Sequence, residues 1–420
     1  MDTGSTWVAA RKEPPPYPLE TVAVIKEAAA VLTTSVSPDT PQESGALRIC
    51  LVEPFFTGSH ERWATEFAQK SRHRVDILSL PGRHWKWRMH GAAITLADNF
   101  RAKEITYDAI LVSDMLDLNV FLSRLRSESS STPVAVYFHE NQLLYPWSPR
   151  DSDTKKGRDL HYAFINYSSA LAADALYFNS DYHRISFIEA LPEFLKRYPD
   201  FQNLNTVEEI SQKSSTLWLG MDLTALDAHR TPNRGTRNDK PLVVWNHRWE
   251  YDKNPIGFFR ILYKLQERGI EFDLALLGEG FEEEPPYFRE AKDRLGKRIV
   301  HYGKASQFFD YARLLWQADI ALVTSCQDFF GQSVVESVYC GCHPLLPERL
   351  AYPDHLDPSA WPHCYYRSES EALERVVQLI ESGDWKRSFS GTETVKRYDW
   401  GHQIGQYDRQ LERLANRSNA

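Results

Sequence analysis

Cysteine is scarce: five in 420 residues (Cys50, Cys326, Cys340, Cys342 and Cys364), odd in number and without a paired CxxC spacing. That excludes a disulfide scaffold or a zinc ribbon and suits a reducing compartment. Long apolar runs are missing too. Asp2, Arg11, Lys12 and Glu13 precede Pro14-Pro15-Pro16 where a signal peptide would need an apolar segment. The stretch from Val22 to Val36 is broken by Lys26 and Glu27 and is too short to cross a bilayer. A cytoplasmic protein with no membrane contact is therefore expected. There is no basic excess: 49 Lys and Arg against 57 Asp and Glu give a formal net charge of −8. That excludes a generally basic nucleic-acid coat while leaving room for a local basic surface. No HExxH motif and no His/Cys ligand set with zinc spacing occurs, so no metal is expected.

What is present is an α/β grammar written twice. Hydrophobic residues make up 42% and charged residues 25%, a globular composition, and the chain is too long for one ordinary domain. Apolar runs at 47–52, 74–78, 109–112, 134–138 and 175–178 predict strands, with helical patterns such as 61–70 between them. After the polar stretch 229–240, a second series runs through 242–245, 272–277, 299–302 and 320–323, with a helical pattern at 255–268. Such alternation predicts βαβ units and parallel sheets covered on both faces. The expected organisation is an extension at 1–45, partly mobile with one short helical pattern at 19–32. A doubly wound Rossmann-like domain at 46–228, a linker at 229–240 and a second such domain at 241–395 follow. A helix within 396–420 closes the chain. Ligands sit at the carboxyl ends of such sheets, so two facing sheets place a site in the cleft between them.

Two stretches of the second half carry chemistry. Arg248 and Lys253 follow a predicted strand and precede a helix; a guanidinium fork and an ammonium together suit a diphosphate. Asp328 lies in a loop and Glu336 eight residues later, one to two turns into a helix opened by Phe330, Gly331, Gln332 and Ser333. Backbone N–H groups there favour a phosphate, while the two carboxylates can accept from sugar and ribose hydroxyls. Taken alone, each stretch also reads as solvated surface charge or an acidic loop. Between them lie Gly278-Glu279-Gly280 and Tyr302-Gly303. In the first half, Gly58, Ser59 and His60 follow the first strand, and His139, Glu140 and Asn141 follow another. Adjacent extended residues point to opposite faces, so at most one of His139 and Glu140 is expected to face the cleft if the strand stays extended there. Arg83, His84, Lys86, Arg88 and His90 interleave with Trp85 and Trp87, and no carboxylate lies between Asp76 and Asp98. Cations beside rings suit an unstacked single-stranded RNA loop; the alternative is a strand-end loop whose tryptophans pack in the core.

The order of these motifs resembles the donor domain of retaining GT-B glycosyltransferases of the E-x7-E type. There an Arg-x4-Lys pair holds the donor diphosphate, matched by Arg248 and Lys253, and the second acid holds the ribose, matched by Glu336. Asp328 stands where that family has Glu, keeping the charge and losing a methylene. Val52-Glu53-Pro54-Phe55-Phe56-Thr57-Gly58-Ser59-His60, Trp85-Lys86-Trp87-Arg88, Tyr137-Phe138-His139-Glu140-Asn141 and Trp245–Lys253 narrow the resemblance. Over roughly 47–398 the chain is similar to the tRNA-queuosine α-mannosyltransferases.

The resemblance implies a GT-B fold whose terminal helix packs back on the first domain. It also implies transfer of mannose from GDP-mannose to the cyclopentenediol of queuosine in a tRNA, with retention and without a metal. His139 would contact the donor sugar near the reaction centre, with Arg248, Lys253 and Asp328. Gly278, Glu279, Tyr302, Phe330, Gly331, Gln332, Ser333 and Glu336 would complete the donor side. Gly58, Ser59, His60, Trp85, Lys86, Trp87, Arg88, Glu140 and Asn141 would form the acceptor side. Lys253→Ala is expected to lose turnover far more than stability. A transferase acting on a lipid or glycan, or a silent tRNA- or nucleotide-binding module, remain the competing readings. Nothing in the sequence specifies an oligomer.

Overall fold

The computed structural model describes residues 45–126, 131–148, 151–155, 160–230, 240–278 and 284–416. The expected extension up to residue 44, most of the expected linker, and Glu279 with Gly280 lie outside the described residues. Two six-stranded sheets organise the rest. The first holds β1 (Arg48–Phe56), β2 (Arg74–Pro81), β3 (Ala109–Ser113), β4 (Val134–Phe138), β5 (Ala175–Phe178) and β6 (Ser214–Thr216), in the order β2-β1-β3-β4-β5-β6. The second holds β7 (Leu242–Asn246), β8 (Asp273–Leu277), β9 (Ile299–Gly303), β10 (Ile320–Leu322), β11 (His343–Pro347) and β12 (Tyr365–Tyr366), in the order β12-β11-β10-β7-β8-β9. Every pairing between neighbouring strands is parallel.

Both faces of the sheets are buried, which is why their strands read as continuous apolar runs. Alternate residues of β1 serve opposite cores. Cys50 and Val52 join Ile110, Val112 and Val136 on one side, whereas Ile49 and Leu51 join Leu111 and Tyr137 on the other. The connecting helices include α1 (Gly58–Lys70), α2 (Trp85–Ala102), α3 (Leu118–Arg124), α4 (Leu160–Ala172), α5 (Asp181–Leu195) and α6 (Thr206–Gln212) in the first half. In the second they include α7 (Pro255–Glu267), α8 (Pro286–Leu295), α9 (Phe308–Gln317), α10 (Gln332–Tyr339) and α11 (Glu369–Ser382).

The chain ends in α12 (Trp400–Asn416), which lies on the first half. Trp400 Nε1 donates to Glu66 of α1 at 2.6 Å, Trp63 Nε1 donates to the Tyr407 hydroxyl at 3.1 Å, and that hydroxyl lies 2.9 Å from Tyr137 OH. Buried indole N–H and phenol groups find one another here, as such groups must.

The strands differ from expectation where sequence chemistry misleads. β1 continues through Glu53-Pro54-Phe55-Phe56, with its register against β2 shifting between Glu53 and Phe56; a proline that cannot donate to a ladder is tolerated at such an irregularity. β11 contains Pro344 and Pro347, and β6 is wholly polar, so neither has a strand's composition. Trp85–Arg88 is the first turn of the 18-residue α2, not a loop. Met89, Ala92, Ala93, Leu96, Ala97 and Phe100 recur at helical spacing and are buried. All five cysteines are free thiols. Among the described residues, no helix is long and apolar enough to cross a membrane.

Candidate active site

In each sheet the strand order reverses once: between β1 and β3 in the first, between β7 and β10 in the second. Loops leaving the carboxyl ends of such neighbours diverge and open a crevice. The residues with chemistry lie in and around these two crevices.

At the second crevice, the loop after β7 carries Arg248 and Lys253 and the loop after β10 carries Asp328. Lys253 is only 8% exposed. Its ammonium donates to Asp328 Oδ1 and to the Gln327 carbonyl, both at 2.7 Å, and pairs with Asp252 Oδ2 at 2.9 Å. Asp328 Oδ2 accepts from the Tyr352 hydroxyl at 2.5 Å. Burial pushes the Asp328 carboxyl up, yet the Lys253 ammonium and the Tyr352 hydrogen bond hold it below the usual carboxylate range. Thr324 Oγ1 lies 3.0 Å from the carbonyls of both Lys253 and Asn254, and the Asn254 side chain caps α7 by accepting from Gly257 N. The two loops are thus stitched together. Arg248, by contrast, has a side chain 58% exposed; Nη1 lies 3.1 Å from Glu250 and Nη2 3.4 Å from Tyr145 OH.

Glu336 sits one turn into α10 and is nearly buried. Oε1 accepts from Arg62 Nη2 of α1 at 2.8 Å, and Oε2 accepts from Tyr311 OH, whose own oxygen accepts from Asn246 Nδ2 at 2.8 Å. Ser333 Oγ lies 3.0 Å from His247 Nδ1. Burial pushes that imidazole down to about 4, so it is neutral at pH 7. Gly331 precedes α10, while Phe330 turns into the core against His355 and Tyr398. Gly278 has φ +112°, and a Cβ there would stand 2.1 Å from the His247 carbonyl oxygen. Only glycine lets β8's end pass the Arg248 loop so closely. Tyr302 meets Trp249 edge-on at 4.9 Å and bonds Glu284.

At the first crevice Glu53, fully buried, accepts from Phe55 N at 2.9 Å and from His60 Nδ1 at 3.1 Å. His60 is placed by α1, whose start is set by Gly58 at φ +54°; Gly58 and Ser59 are exposed. Burial disfavours the charged His60 ring, but the Glu53 carboxylate outweighs it and lifts the imidazole to about 9. The His139 ring lies 4.4 Å from it and 4.5 Å from Trp63. Burial and the His60 charge drive His139 the other way, well below its ordinary value, and its Nε2 has no hydrogen-bond partner. One ring is therefore a cation and its neighbour neutral. Potential ligand atoms of Glu53, His60 and His139 lie within 4.8 Å of one another, a grouping that no short sequence motif announces.

Asp114, at the end of β3, accepts from the backbone N–H of His139 at 2.8 Å and of Glu140 at 3.4 Å. Asn141 spends its side-chain oxygen on the N–H groups of Leu143 and Leu144, which makes it the holder of a turn. Glu140 accepts from Gln142 Nε2 at 3.0 Å.

The two crevices meet. Ser180 donates to the Phe329 carbonyl, the His183 and Phe329 rings stack at 4.1 Å, Tyr145 OH lies 3.2 Å from Asp252 Oδ2, and Tyr251 OH bonds the Pro146 carbonyl. Trp85–Arg88 behaves differently from the expected row of free cations. Lys86 is paired with Asp151 and Asp153 and lies over the Trp85 and Trp147 rings. Asp151 and Asp153 form an Asp-x-Asp pattern, and both carboxylates face this lysine. Trp85 packs on Tyr162 at 5.1 Å, and Arg88 donates to the Pro81 carbonyl. Trp87 remains 62% exposed.

Sequence reasoning missed Glu53, Arg62, Asp114, Tyr145, Asp252, Tyr311 and Tyr352. For Glu53 and Asp114 a signal existed: an acid terminating an apolar parallel strand, where ligands bind.

Comparison with known proteins follows this geometry. A family model described as the N-terminal part of tRNA-queuosine alpha-mannosyltransferase matches residues 48–221. The tRNA-queuosine alpha-mannosyltransferase of Drosophila melanogaster is 31% identical over 312 residues, covering 73% of this chain and 81% of the fly protein. Among solved structures, sucrose-phosphate synthase from Thermosynechococcus elongatus superposes with a TM-score of 0.63 at 13% identity, covering 88% of this chain and 99% of that one. Anabaena HepE in complex with UDP gives 0.61 at 14% identity, covering 87% and 100%. These likenesses, with two parallel six-stranded sheets, make the fold GT-B and the chain a glycosyltransferase by descent. The match to the fly enzyme runs well past the first sheet into the half bearing Arg248 and Glu336, and on that extent the chain belongs to the tRNA-queuosine alpha-mannosyltransferase family.

Proposed function

We propose that this protein transfers mannose from GDP-mannose to the cyclopentenediol of queuosine in tRNA, with retention of configuration and without a metal. The observation that carries the reading is the Lys253–Asp328 pair at the reversal point of the second sheet, with Arg248 on the same loop and the Tyr145 hydroxyl between it and Asp252. The donor diphosphate binds Arg248, whose exposed guanidinium is free to turn from Glu250. Lys253 trades part of its carboxylate contact for phosphate, and the two cations stabilise charge on the departing diphosphate. Asp328, steered by Lys253 and Tyr352, accepts from the sugar hydroxyls. Glu336 accepts from the ribose diol, and neutral His139 faces the sugar. The acceptor hydroxyl attacks from the face that the diphosphate leaves, and its proton passes to the departing phosphate oxygen. The exposed Trp87 offers a ring on which an unstacked base can lie.

The test is incubation with GDP-mannose and tRNA that carries queuosine, followed by mass analysis of the nucleosides. A hexose-sized gain on queuosine, absent with tRNA lacking it and with lipid extracts, is the expected result. UDP-sugars in parallel decide the donor base, since Anabaena HepE is solved with UDP. Transfer to lipid or glycan alone would overturn the reading.

A further inference from the structure

Glu336 is engaged by side chains of the protein itself. Its side chain is only 7% exposed, with Oε1 held by Arg62 at 2.8 Å and Oε2 by Tyr311. A ribose diol donates two hydroxyls to one carboxylate and needs an open approach to it. Tyr311 is itself fixed by Asn246, so it is not the group that yields. Arg62 differs: its side chain is 39% exposed, and it projects from a helix that is anchored without it. Trp63, Ala64 and Phe67 bury the inner face of α1, and Glu66 binds Trp400. Arg62 therefore contributes little to holding α1 in place and covers the carboxylate from the opposite half of the protein.

We infer that Arg62 is a specificity-determining cover of the ribose subsite: its guanidinium pairs with Glu336 and is exchanged for the ribose diol when the nucleotide binds. The inference rests on the donor-site reading given above. Its consequence is a filter. A nucleotide that presents both ribose hydroxyls displaces Arg62, whereas one lacking them leaves the pair closed and gains nothing from Glu336. The exchange also breaks a bond between the two halves, which links donor binding to their relative freedom.

The experiment measures dissociation constants of GDP and 2′,3′-dideoxy-GDP for the wild type, Arg62→Met, Arg62→Gln and Glu336→Gln by titration calorimetry, with circular dichroism confirming folding. Expected are a wild-type preference for GDP and about fivefold tighter GDP binding in both Arg62 variants, the scale of a partly exposed ion pair. Binding of the dideoxy nucleotide should stay within twofold, and Glu336→Gln should lose the preference. Loss of the preference in Glu336→Gln with unchanged or weaker GDP binding in the Arg62 variants would overturn the cover while leaving the ribose contact standing. A full preference in Glu336→Gln, or no GDP binding by the wild type, would instead sink the donor-site reading beneath it.

Discussion

Replacing Lys253 with Met tests whether this lysine serves the substrate alone or also the fold. Its ammonium is held by Asp328, Asp252 and the Gln327 carbonyl, so its removal leaves the buried Asp252 and the mostly buried Asp328 without their cation. Breaking one side of a buried ion pair costs about 3–5 kcal/mol. That revises the expectation that Lys253→Ala spares stability: turnover and stability should both fall. The pH dependence separates the cause. In the wild type Asp328 is held below its ordinary value of 3.8, so its contribution is present above that pH and fades as pH falls through the lower folded value. Without Lys253, burial dominates and lifts the carboxyl, so the variant should gain stability as pH is lowered from 8 toward 5. Neutralising the stranded charge should recover part of the loss: Lys253→Met/Asp328→Asn should be more stable than Lys253→Met, by roughly 1–3 kcal/mol of coupling. Urea unfolding followed by tryptophan fluorescence at several pH values reads the wild type, Lys253→Met, Asp328→Asn and the double variant. A Lys253→Met protein within about 0.5 kcal/mol of wild type, flat with pH and with no rescue by Asp328→Asn, would refute the reasoning.

The other predictions follow the same geometry. With the His60 imidazole lifted to about 9 by Glu53, its contribution is fully present below pH 6.5 and is lost as pH rises from 6.5 through 9. It amounts to roughly 3 kcal/mol at most, and unfolding curves of Glu53→Gln should lack that decline. Gly278→Ala should drive a Cβ against the His247 carbonyl and cost more than about 1 kcal/mol, with weaker GDP binding because the Arg248 loop must move; wild-type stability and affinity would contradict the close approach. Trp87→Ala should raise the tRNA KM about tenfold and leave GDP affinity unchanged, and equal effects on both would place the indole elsewhere. Chelation with EDTA should leave transfer intact. Activity lost to EDTA and restored by manganese would point to Glu53, His60 and His139 as the place where the ion binds.

The sequence made the sheets legible because burial on both faces leaves unbroken apolar runs, as at 109–112 and 242–245. It made the crevice of the second sheet legible because Arg248 and Lys253 come directly after β7 and Asp328 shortly after β10. Chain order alone puts those groups at the strand ends. What it hid was pairing across the chain. Lys86 lay in a run without nearby acids, yet Asp151 and Asp153 reach it from 65 and 67 residues away. Arg62 and Glu336 are 274 residues apart, and nothing local to either announces the other. Composition therefore overstated the free cations at 83–90 and, in the opposite sense, understated how completely Lys253 is committed.

The same contrast bears on mechanism. The Lys253 ammonium and the Glu336 carboxylate each hold a partner of opposite charge within the chain, Asp328 for one and Arg62 for the other. Arg248 also has a counter-ion, but its side chain is mostly exposed. On the proposed function, a donor nucleotide at this site would exchange ion pairs instead of filling bare charges, so binding strength would depend on the difference between old and new partners. Arg248, whose own side chain is exposed, would on that function be the group to meet the diphosphate first, with the buried pairs rearranging after it.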